Sequence, residues 1–251
     1  MRLARRDVVR GSWRRFPLLE GATIARVVRH GKNLAILAED GRALGVHLGM
    51  TGQLLCLPAG ARATRTDHVH ATWRLERRGE LIGRLLFRDP RRFGGLETFE
   101  DEASLRERWA RLGPDAATVG GEALRAALGG PKRPVKAGLL DQEAVAGIGN
   151  IYADEALFAA RIHPLRRCDA LTGEEWESLA REVRRVLAEA IEARGSTLRD
   201  YRDAEGAAGS FQTRHLVYGR AGAPCARCGR PLTRLTVAQR TTVACDACQA
   251  R

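Results

Sequence analysis

The sequence lacks the features of a membrane-bound or secreted protein. No apolar run approaches the roughly 18 residues that a membrane-spanning helix requires. The arginine-rich start, MRLARRDVVRGSWRR, is followed by no apolar signal-peptide core. We therefore expect a cytoplasmic protein that has no membrane partner.

Lysine is scarce, although the chain is strongly basic. Arginine supplies most of the 42 basic residues, and the only lysines are Lys32, Lys132 and Lys136. With 30 acidic residues, the formal net charge is +12. Such an excess favours a polyanionic partner, either nucleic acid or an anionic membrane, but a basic surface with no partner carries the same charge. Charge alone does not separate these interpretations.

Length and local patterns predict several domains with an α+β composition. A chain of 251 residues is long enough for more than one hydrophobic core. Strand-like runs, a hairpin signal at Asp40-Gly41 and a second strand pair in ATWRLERRGELIGRLLF predict mainly antiparallel sheet in residues 1–112. After Leu112-Gly113-Pro114 the composition shifts to alanine, leucine and glutamate, which predicts a helical domain at 113–215. A cysteine-bearing tail follows at 216–251.

The clearest helix signal lies in the second half of the chain. A capping box, Thr172-Gly173-Glu174-Glu175, begins this helix, which should run to Gly195. Its buried face is predicted from apolar residues at helical spacing, namely Trp176, Leu179, Val183, Leu187 and Ile191. Residues 195–215 are glycine-rich and aperiodic, so we expect a mobile loop that leads into the tail.

The tail contains four of the six cysteines in the pattern C-x2-C-x16-C-x2-C, at Cys225, Cys228, Cys245 and Cys248. Two thiolates from each tight turn complete a tetrahedral site, so the spacing predicts one structural Zn²⁺. Between the pairs, RLTV and TVAC should form two short strands joined by residues 238–241. Arg240 in this turn either enters a DNA groove or is a solvated turn residue. Cys56 and Cys168 lie alone and are interpreted as ordinary thiols.

Glycines interrupt a helical pattern in residues 139–164, LLDQEAVAGIGNIYADEALFAARIHP. The first helix should end near Gly147, and Asn150 suits the N-cap of the second helix, with Asp154 and Glu155 early in it. The turn Gly147-Ile148-Gly149 lacks side chains at two positions, so its N–H groups can approach a phosphate beside a helix N-terminus. A glycine-capped helix hairpin without a ligand has the same local pattern.

Five segments of the chain form an ordered set of motifs. They are HLGMTGQL (47–54), RDPRRFGG (88–95), DQEAVAGIGNIYADEALF (141–158), VYGR (217–220) and the cysteine tail. This set resembles the formamidopyrimidine-DNA glycosylase family of bifunctional DNA-repair enzymes more closely than its sister family, endonuclease VIII. The resemblance implies a truncated N-terminal antiparallel β-sandwich at 1–112, a helix-two-turn-helix domain at 113–215 and a zinc-finger β-hairpin at 216–251.

The resemblance implies an enzyme that binds double-stranded damaged DNA as a monomer. Such an enzyme flips an oxidised purine, 8-oxoguanine or a formamidopyrimidine, out of the duplex, cleaves its glycosidic bond and nicks the abasic strand by β,δ-elimination. Met50, Arg91 and Phe93 match the residues that fill the vacated space. An apolar wedge, a guanidinium and an aromatic ring suit that role.

The resemblance also implies phosphate contacts and proton transfers. Asn150 and Lys132 match residues that hold DNA phosphates, although Lys132 without the match would be a solvated loop charge. Arg240 matches a finger arginine that contacts the phosphate beside the lesion and aids the second elimination. Lys32 matches the proton donor of the first elimination, and without the match it would be a surface lysine at a strand start. A lysine whose pKa is lowered exchanges a proton near neutral pH, whereas arginine does not.

One DNA-contacting histidine of the family pattern is replaced in this chain. In the stretch Thr66-Asp67-His68-Val69-His70, Thr66 stands at the position of that histidine. The prediction is that His68, or alternatively His70, takes over the contact.

The opening Met-Pro-Glu of the family is missing from the printed sequence. In family members the proline amine attacks the sugar as the nucleophile, and the glutamate beside it moves protons. This chain begins Met1-Arg2-Leu3 and contains no Pro-Glu pair. The catalytic pair is therefore not among the residues that the resemblance can assign.

Two hypotheses follow from this departure. The first is an enzyme whose printed sequence lacks its beginning, and the second is a damaged-DNA-binding protein without catalysis. Lys32 and Arg240 favour the first hypothesis, because both match residues of the elimination steps and a protein that only binds DNA carries out no elimination. Codons for Met-Pro-Glu upstream of Met1 would support the first hypothesis, and an immediate stop codon the second. A zinc-ribbon protein unrelated to repair does not explain the ordered motifs.

Overall fold

The computed structural model of the chain describes residues 2–3, 9–10, 18–62, 67–130, 132–199 and 201–249. The chain divides into two compact units. The first unit comprises Met1–Trp109 and Arg194–Ser210, and the second comprises Ala110–Ala193 and Phe211–Arg251. The helical and cysteine-bearing segments, predicted as separate domains, therefore pack together as one unit.

Residues 194–210 pack with the first unit, whereas the predicted boundaries place them in the helical domain. The N–H of Cys56 donates a 2.8 Å hydrogen bond to the carbonyl of Ala204. Within the segment, Arg194 forms a 3.0 Å ion pair with Asp203. A glycine-rich pattern without periodicity contains no signal for these contacts, which explains the difference.

The first unit consists mainly of strands. Its described residues form β1 (Arg2–Leu3), β2 (Val9–Arg10), β3 (Ile24–His30), β4 (Asn33–Ala38), β5 (Ala43–His47), β6 (Gln53–Pro58), β7 (Val69–Arg77), β8 (Glu80–Arg88), β9 (Gly95–Phe99) and helix α1 (Glu102–Trp109). The order β2-β9-β5-β4-β3 makes one sheet, and the order β1-β7-β8-β6 makes the other. Neighbouring strands are antiparallel except β2 and β9, which pair in parallel over two residues.

Side chains from both sheets meet in one buried core. Leu44 and Val46 of β5 lie in a cluster with Trp73 of β7, Phe87 of β8 and Leu18. The indole N–H of Trp73 donates to the carbonyl of Leu18 at 2.7 Å, so the polar atom of this buried ring has a partner. Packing of one sheet on the other confirms the predicted β-sandwich.

Short turns connect the strands of the first unit. Asp40 and Gly41 lie between β4 and β5 as predicted, and Gly41 has a φ of +92°. Arg78-Gly79 joins β7 to β8 with φ values of +52° and +83°, as in two-residue turns between antiparallel strands. Lys32 and Gly31 form the turn between β3 and β4.

The second unit combines helices with one hairpin. Its described residues form α2 (Gly121–Leu128), α3 (Val135–Leu140), α4 (Asn150–Ala159), α5 (Gly173–Glu192), β10 (Thr233–Val237) and β11 (Arg240–Ala244), with short 3₁₀ helices at Cys168–Ala170 and Phe211–Arg214. The four α-helices pack around one apolar cluster. Among the described residues, no helix is long and apolar enough to cross a membrane.

The capping box of α5 is confirmed. The side chain of Thr172 accepts the N–H of Glu175, and the Glu175 carboxylate accepts the N–H of Thr172 at 2.8 Å. The N–H groups of Thr172 and Glu175, at the start of the helix, thereby both have acceptors. The helix ends at Glu192, three residues before the predicted end at Gly195.

The buried face of α5 is partly different from the predicted one. The buried residues are Trp176, Leu179, Ala180, Val183, Val186 and Ala190. Leu187 is only partly buried, and Ile191 is 70% exposed, so the prediction for Ile191 is wrong. A helix has 3.6 residues per turn, so a strict spacing of four residues drifts about 40° per step away from the core.

Candidate functional site

Two loops of the first unit present apolar side chains to solvent. The β5–β6 loop (residues 48–52) contains Met50, and the β8–β9 loop (residues 89–94) contains Phe93. Met50 is 66% exposed and Phe93 is 50% exposed, although side chains of this type are usually buried. Arg91 in the β8–β9 loop is exposed as well. The three residues predicted to fill the vacated space therefore lie on these two loops.

Glycines allow the two loops to touch backbone to backbone. Gly49 has a φ of +60°, and a Cβ on it would lie 2.6 Å from the carbonyl carbon of Phe93. A Cβ on Gly94 would lie 2.5 Å from the carbonyl oxygen of His47. Neither position tolerates a side chain without a shift of the main chain. Main-chain contact therefore sets how closely the two loops approach each other.

Lys32 lies at the same end of the five-stranded sheet as these loops. Asn33 of β4 pairs with His47 of β5, and His47 pairs with Gly95 of β9. Lys32 precedes Asn33, while the β5–β6 loop follows His47 and the β8–β9 loop precedes Gly95. Because neighbouring strands lie about 4.8 Å apart, the exposed Lys32 shares one surface region with both loops.

The two histidines near the start of β7 take different positions. His68 is exposed, has a φ of +60°, and has its Nε2 3.6 Å from the Asp67 carboxylate. His70 is buried, and its Nε2 lies 2.8 Å from the backbone oxygen of Asp89. The alternative prediction for His70 is therefore wrong, because a buried ring does not reach DNA. Thr66 lies outside the described residues.

The first helix of the helical corner ends earlier than predicted. α3 ends at Leu140, and the side chain of Gln142 then holds the turn. Its Nε2 donates to the carbonyl of Ile148 at 3.1 Å, and its Oε1 accepts the N–H of Gly147 at 3.0 Å. Gly147 is required for its φ of +119°, but its N–H is already bonded. The predicted approach of this N–H to a phosphate is therefore wrong.

The N-cap of α4 is Gly149 and not Asn150. Asn150 is the first helical residue, and its side-chain Nδ2 donates to the carbonyl of Thr241 in β11 at 3.0 Å. The side chain thus bonds to the hairpin instead of capping its own helix. An amide NH₂ has two N–H groups, so the same nitrogen has a second hydrogen to donate.

A buried ion pair lies beneath this corner. The side chains of Lys136 in α3 and Asp154 in α4 are both 0% exposed, and their Nζ and Oδ1 atoms are 2.6 Å apart. The Nζ also donates to Oγ1 of Thr242 at 2.7 Å, and Oδ2 of Asp154 accepts the N–H of Val243 at 3.1 Å. Both partners therefore bond to β11, the strand that begins with Arg240.

Burial disfavours the charge on each member of this pair. Loss of hydration raises the pKa of Asp154 to about 6, although Lys136 and the Val243 N–H oppose the rise. Loss of hydration also lowers the pKa of Lys136. Such a pair adds little net stability, but it specifies how the elements that it links, here α3, α4 and β11, are arranged. The sequence-based assignment gave neither residue a role, and only the rarity of lysine distinguished Lys136.

Further contacts fasten the finger to α4. The Glu155 carboxylate accepts three consecutive N–H groups, from residues 216–218, at distances between 2.8 and 3.0 Å. Arg227, within the first cysteine pair, donates to the carbonyl of Phe158 at 2.7 Å, and its guanidinium carbon lies 4.4 Å from the centre of that ring. The VYGR segment and the finger therefore rest on the helix that follows the glycine turn.

The four predicted zinc ligands converge. Their Sγ atoms all lie within 4.8 Å of one another, in Cys225, Cys228, Cys245 and Cys248. The Cys225–Cys248 distance is 4.0 Å and the Cys228–Cys245 distance is 3.6 Å. Zn–S bonds of about 2.3 Å imply tetrahedron edges of about 3.8 Å. The cluster therefore fits one structural zinc ion with all four positions filled by protein.

Arg240 begins β11 and is not part of the turn before it. The turn consists of Ala238 and Gln239, which have φ values of +48° and +58°. Arg240 is exposed. The next residue, Thr241, accepts a hydrogen bond from the Asn150 side chain through its carbonyl. Two predicted phosphate-binding residues, Asn150 and Arg240, are thereby brought together. The third, Lys132, is exposed just before α3.

Known protein families match three parts of the chain. Residues 2–96 match the formamidopyrimidine-DNA glycosylase N-terminal domain, and residues 112–202 match the formamidopyrimidine-DNA glycosylase H2TH domain. Residues 222–251 match the zinc finger found in FPG and IleRS. These matches occur in the same order as the sandwich, the helical corner and the cysteine hairpin.

Individual relatives resemble the chain over most of their length. Formamidopyrimidine-DNA glycosylase of Thermomicrobium roseum is 46% identical over 241 residues, which cover 90% of this chain and 81% of the relative. The enzyme of Thermus thermophilus is 46% identical over 94% of this chain and 86% of its own length.

Solved structures also resemble the chain. The crystal structure of the MutM (Fpg) protein from Thermus thermophilus has a TM-score of 0.82 and 43% identity, and covers 99% of this chain and 90% of that one. A Lactococcus lactis Fpg in complex with DNA containing an abasic site has a TM-score of 0.79 and 33% identity, and covers 92% of this chain and 83% of that one.

Removing the charge of Lys136 alone should destabilise the second unit. Lys136→Met leaves the Asp154 carboxylate buried without a counter-charge, which should cost about 3–5 kcal/mol of unfolding free energy, measured by urea unfolding of the zinc-loaded protein. The double variant Lys136→Met/Asp154→Asn removes both charges and keeps an acceptor for the Val243 N–H, so it should recover much of that loss. A double variant as unstable as the single one would contradict this explanation.

Substituting one zinc ligand should release the metal and disorder the finger. In Cys245→Ser the zinc content should fall well below one ion per chain, and residues 216–249 should become sensitive to protease, because such a hairpin depends on its metal. Cys56→Ser is the matched control, since Cys56 is an exposed cysteine of the first unit. Elemental analysis and limited proteolysis measure both effects, and retention of zinc by Cys245→Ser would argue against the assigned site.

Proposed function

The chain belongs to the formamidopyrimidine-DNA glycosylase family of base-excision-repair enzymes, and we propose that it removes oxidised purines, such as 8-oxoguanine and formamidopyrimidines, from double-stranded DNA. The damaged nucleotide is flipped out, its glycosidic bond is cleaved, and the abasic strand is cut by β,δ-elimination. Lactococcus lactis Fpg structures with Fapy-dG DNA and with abasic-site DNA support this substrate class. Action as a monomer in the cytoplasm, without a membrane partner, is part of the same proposal.

The observation that carries the proposal is the exposure of Met50 and Phe93 on two interlocked loops. Flipping a nucleotide costs a few kcal/mol of stacking and pairing, and apolar side chains inserted into the gap offset part of that cost. Met50 and Phe93 lose contact with water when they enter the gap. The guanidinium of Arg91 then donates hydrogen bonds to the unpaired base on the opposite strand.

The second unit supplies phosphate contacts in this proposal. Asn150 donates the second N–H of its amide to a phosphate oxygen, while the first remains on Thr241. Lys132 offers a compact charge and Arg240 a planar fork of donors. Because the buried ion pair and the Asn150 amide both bond to β11, Arg240 keeps its position relative to Asn150.

Proton transfer is assigned to Lys32, as donor in the first elimination, and Arg240 assists the second. Support for Lys32 comes from its position at the sheet end that carries both loops. Of the basic side chains, lysine exchanges a proton near neutral pH once its pKa is lowered, whereas arginine does not. No Pro-Glu pair occurs in the printed sequence, so the nucleophile of the glycosidic step is not assigned to a residue of this chain.

Truncating both apolar residues should reduce the preference for damaged DNA. In Met50→Ala/Phe93→Ala the Kd for a duplex with one abasic-site analogue should rise at least about 100-fold, because the two side chains together contribute about 3–6 kcal/mol when fully desolvated. The Kd for an intact duplex should change little. Fluorescence anisotropy with labelled duplexes measures both constants.

Leu81→Ala is the matched control for this double variant. Leu81 is 41% exposed and lies at the end of β8 opposite to the β8–β9 loop. Its truncation removes exposed apolar surface without touching either loop, so both Kd values should stay at their wild-type level. If Leu81→Ala weakened binding to the damaged duplex as much as the double variant, the assigned role of the loops would be lost.

DNA binding should weaken steeply as salt increases. About six neutralised phosphates give a slope near −5 in log K against log salt, so affinity should fall about 10³-fold between about 50 and 200 mM. Lys132→Ala should reduce the slope by about 1, and Lys132→Arg, which keeps the charge, should leave it unchanged. An anisotropy titration that showed no salt dependence would exclude a phosphate-binding surface.

A further inference from the structure

A buried carboxylate joins the two loops that carry Met50 and Phe93. Asp89, the first residue of the β8–β9 loop, is 0% exposed. Its Oδ1 accepts the hydroxyl of Thr51 in the β5–β6 loop at 2.5 Å, and its Oδ2 accepts the N–H of Gly94 at 2.8 Å. The two oxygens of one side chain therefore bind one loop each.

The Thr51 hydroxyl connects the carboxylate to the main chain of Arg91 as well. While it donates to Asp89, its oxygen accepts the backbone N–H of Arg91 at 3.3 Å. The main chain of Asp89 is held too, since its N–H donates to the carbonyl of His68 at 3.0 Å and its carbonyl oxygen lies 2.8 Å from Nε2 of His70. Thr51 is 4% exposed, so water competes little for these bonds.

These bonds end beside each residue that is proposed to enter the duplex. Thr51 directly follows Met50 in the chain, and Gly94 directly follows Phe93. The N–H that binds the Thr51 hydroxyl belongs to Arg91 itself. The bonds therefore hold the main chain at or next to Met50, Arg91 and Phe93. The side chains of these three residues remain available to DNA.

We propose that Asp89 is a positioning residue for lesion recognition, a role that rests on the proposed function. Its carboxylate holds the β5–β6 and β8–β9 loops at one spacing, so that Met50, Arg91 and Phe93 enter the gap in the duplex together. Asp89 itself does not touch DNA, because it is fully buried. Its effect on binding is transmitted through Thr51 and through the main chain of the β8–β9 loop.

The physical advantage is that the loops are ordered before DNA arrives. A loop that becomes ordered only in the complex loses conformational freedom at that step, and this loss weakens affinity. Gly49 and Gly94 let the two main chains touch, but glycine also gives an unrestrained chain more freedom than any other residue. The carboxylate bridge restricts that freedom without adding a side chain at the contact.

Thr51 provides a milder test than Asp89, whose removal would leave several buried groups without partners. Thr51→Val keeps the shape of the side chain and removes the hydroxyl, whereas Thr51→Ser keeps the hydroxyl. In the zinc-loaded protein without DNA, Thr51→Val should speed hydrogen–deuterium exchange of peptides covering 48–53 and 89–95 about 10- to 100-fold, the effect of losing the two hydrogen bonds of the hydroxyl. Thr51→Ser should restore slow exchange.

The second measurement is the preference for a duplex with an abasic-site analogue over an intact duplex. Thr51→Val should lower this preference about 10- to 100-fold, again the effect of the two lost bonds, and Thr51→Ser should restore it. 2-Aminopurine placed beside the analogue reports filling of the gap, and its fluorescence change on binding should shrink in Thr51→Val. Adding Met50→Ala/Phe93→Ala to Thr51→Val should have less effect than in the wild type, because both act through the same loops.

Three results would overturn the positioning role. The first is unchanged exchange in Thr51→Val, and the second is faster exchange with a full preference for the damaged duplex. The third is an equal loss of affinity for both duplexes in Thr51→Val, together with additive effects of Thr51→Val and Met50→Ala/Phe93→Ala. This result would indicate a general loss of structure. If the wild-type protein binds both duplexes equally, the proposed function fails and the role in recognition fails with it. That failure is distinguishable, because the exchange measurement needs no DNA.

Discussion

The buried contact between Lys136 and Asp154 is the constraint on which the second unit depends. A two-stranded hairpin is marginally stable by itself in water, so β10 and β11 need support from outside. Metal-bound thiolates set the conformation of the hairpin, whereas the ion pair and the Glu155 carboxylate set where it lies on α3 and α4. The glycine turn, Asn150 and Arg240 consequently form one surface, although about ninety residues separate its two ends in the chain.

In the first unit, hydrogen bonds and glycines provide the corresponding constraint. No core packs over Met50 and Phe93, so their position comes from the main chain below them, which Gly49, Gly94 and Asp89 restrain. In each unit the exposed residues of the candidate site lie near a buried polar side chain. Asp89 lies beneath the loops of Met50 and Phe93, and the Lys136–Asp154 pair lies beneath the strand of Arg240. Buried polar groups are tolerated only when they are bonded, and this requirement makes the geometry of the exposed residues specific.

Prediction from sequence succeeded where neighbouring residues decide the structure. The Asp40-Gly41 turn, the capping box at Thr172 and the cysteine spacing are local signals, and the structure has all three. The bond that occupies the N–H of Gly147 depends on a tertiary partner, and so does the packing of residues 194–210, so no local pattern contains them. For the candidate site, the exposed residues were identifiable from motifs. Their buried supports were not, because a carboxylate in a motif gives no sign of its burial.

The hydrogen bond between Cys56 and Ala204 has a further consequence. β6 is an outer strand of its sheet, and outer strands offer unpaired N–H and C=O groups to strands of other molecules. Around Ala204 the chain forms a tight turn, in which the Asp203 carboxylate accepts the N–H groups of Glu205 and Ala207 at 3.1 and 2.8 Å. This turn covers part of the open margin of β6. The N–H of Cys56 is therefore not available to a strand of another molecule, a consequence of this segment that is independent of DNA.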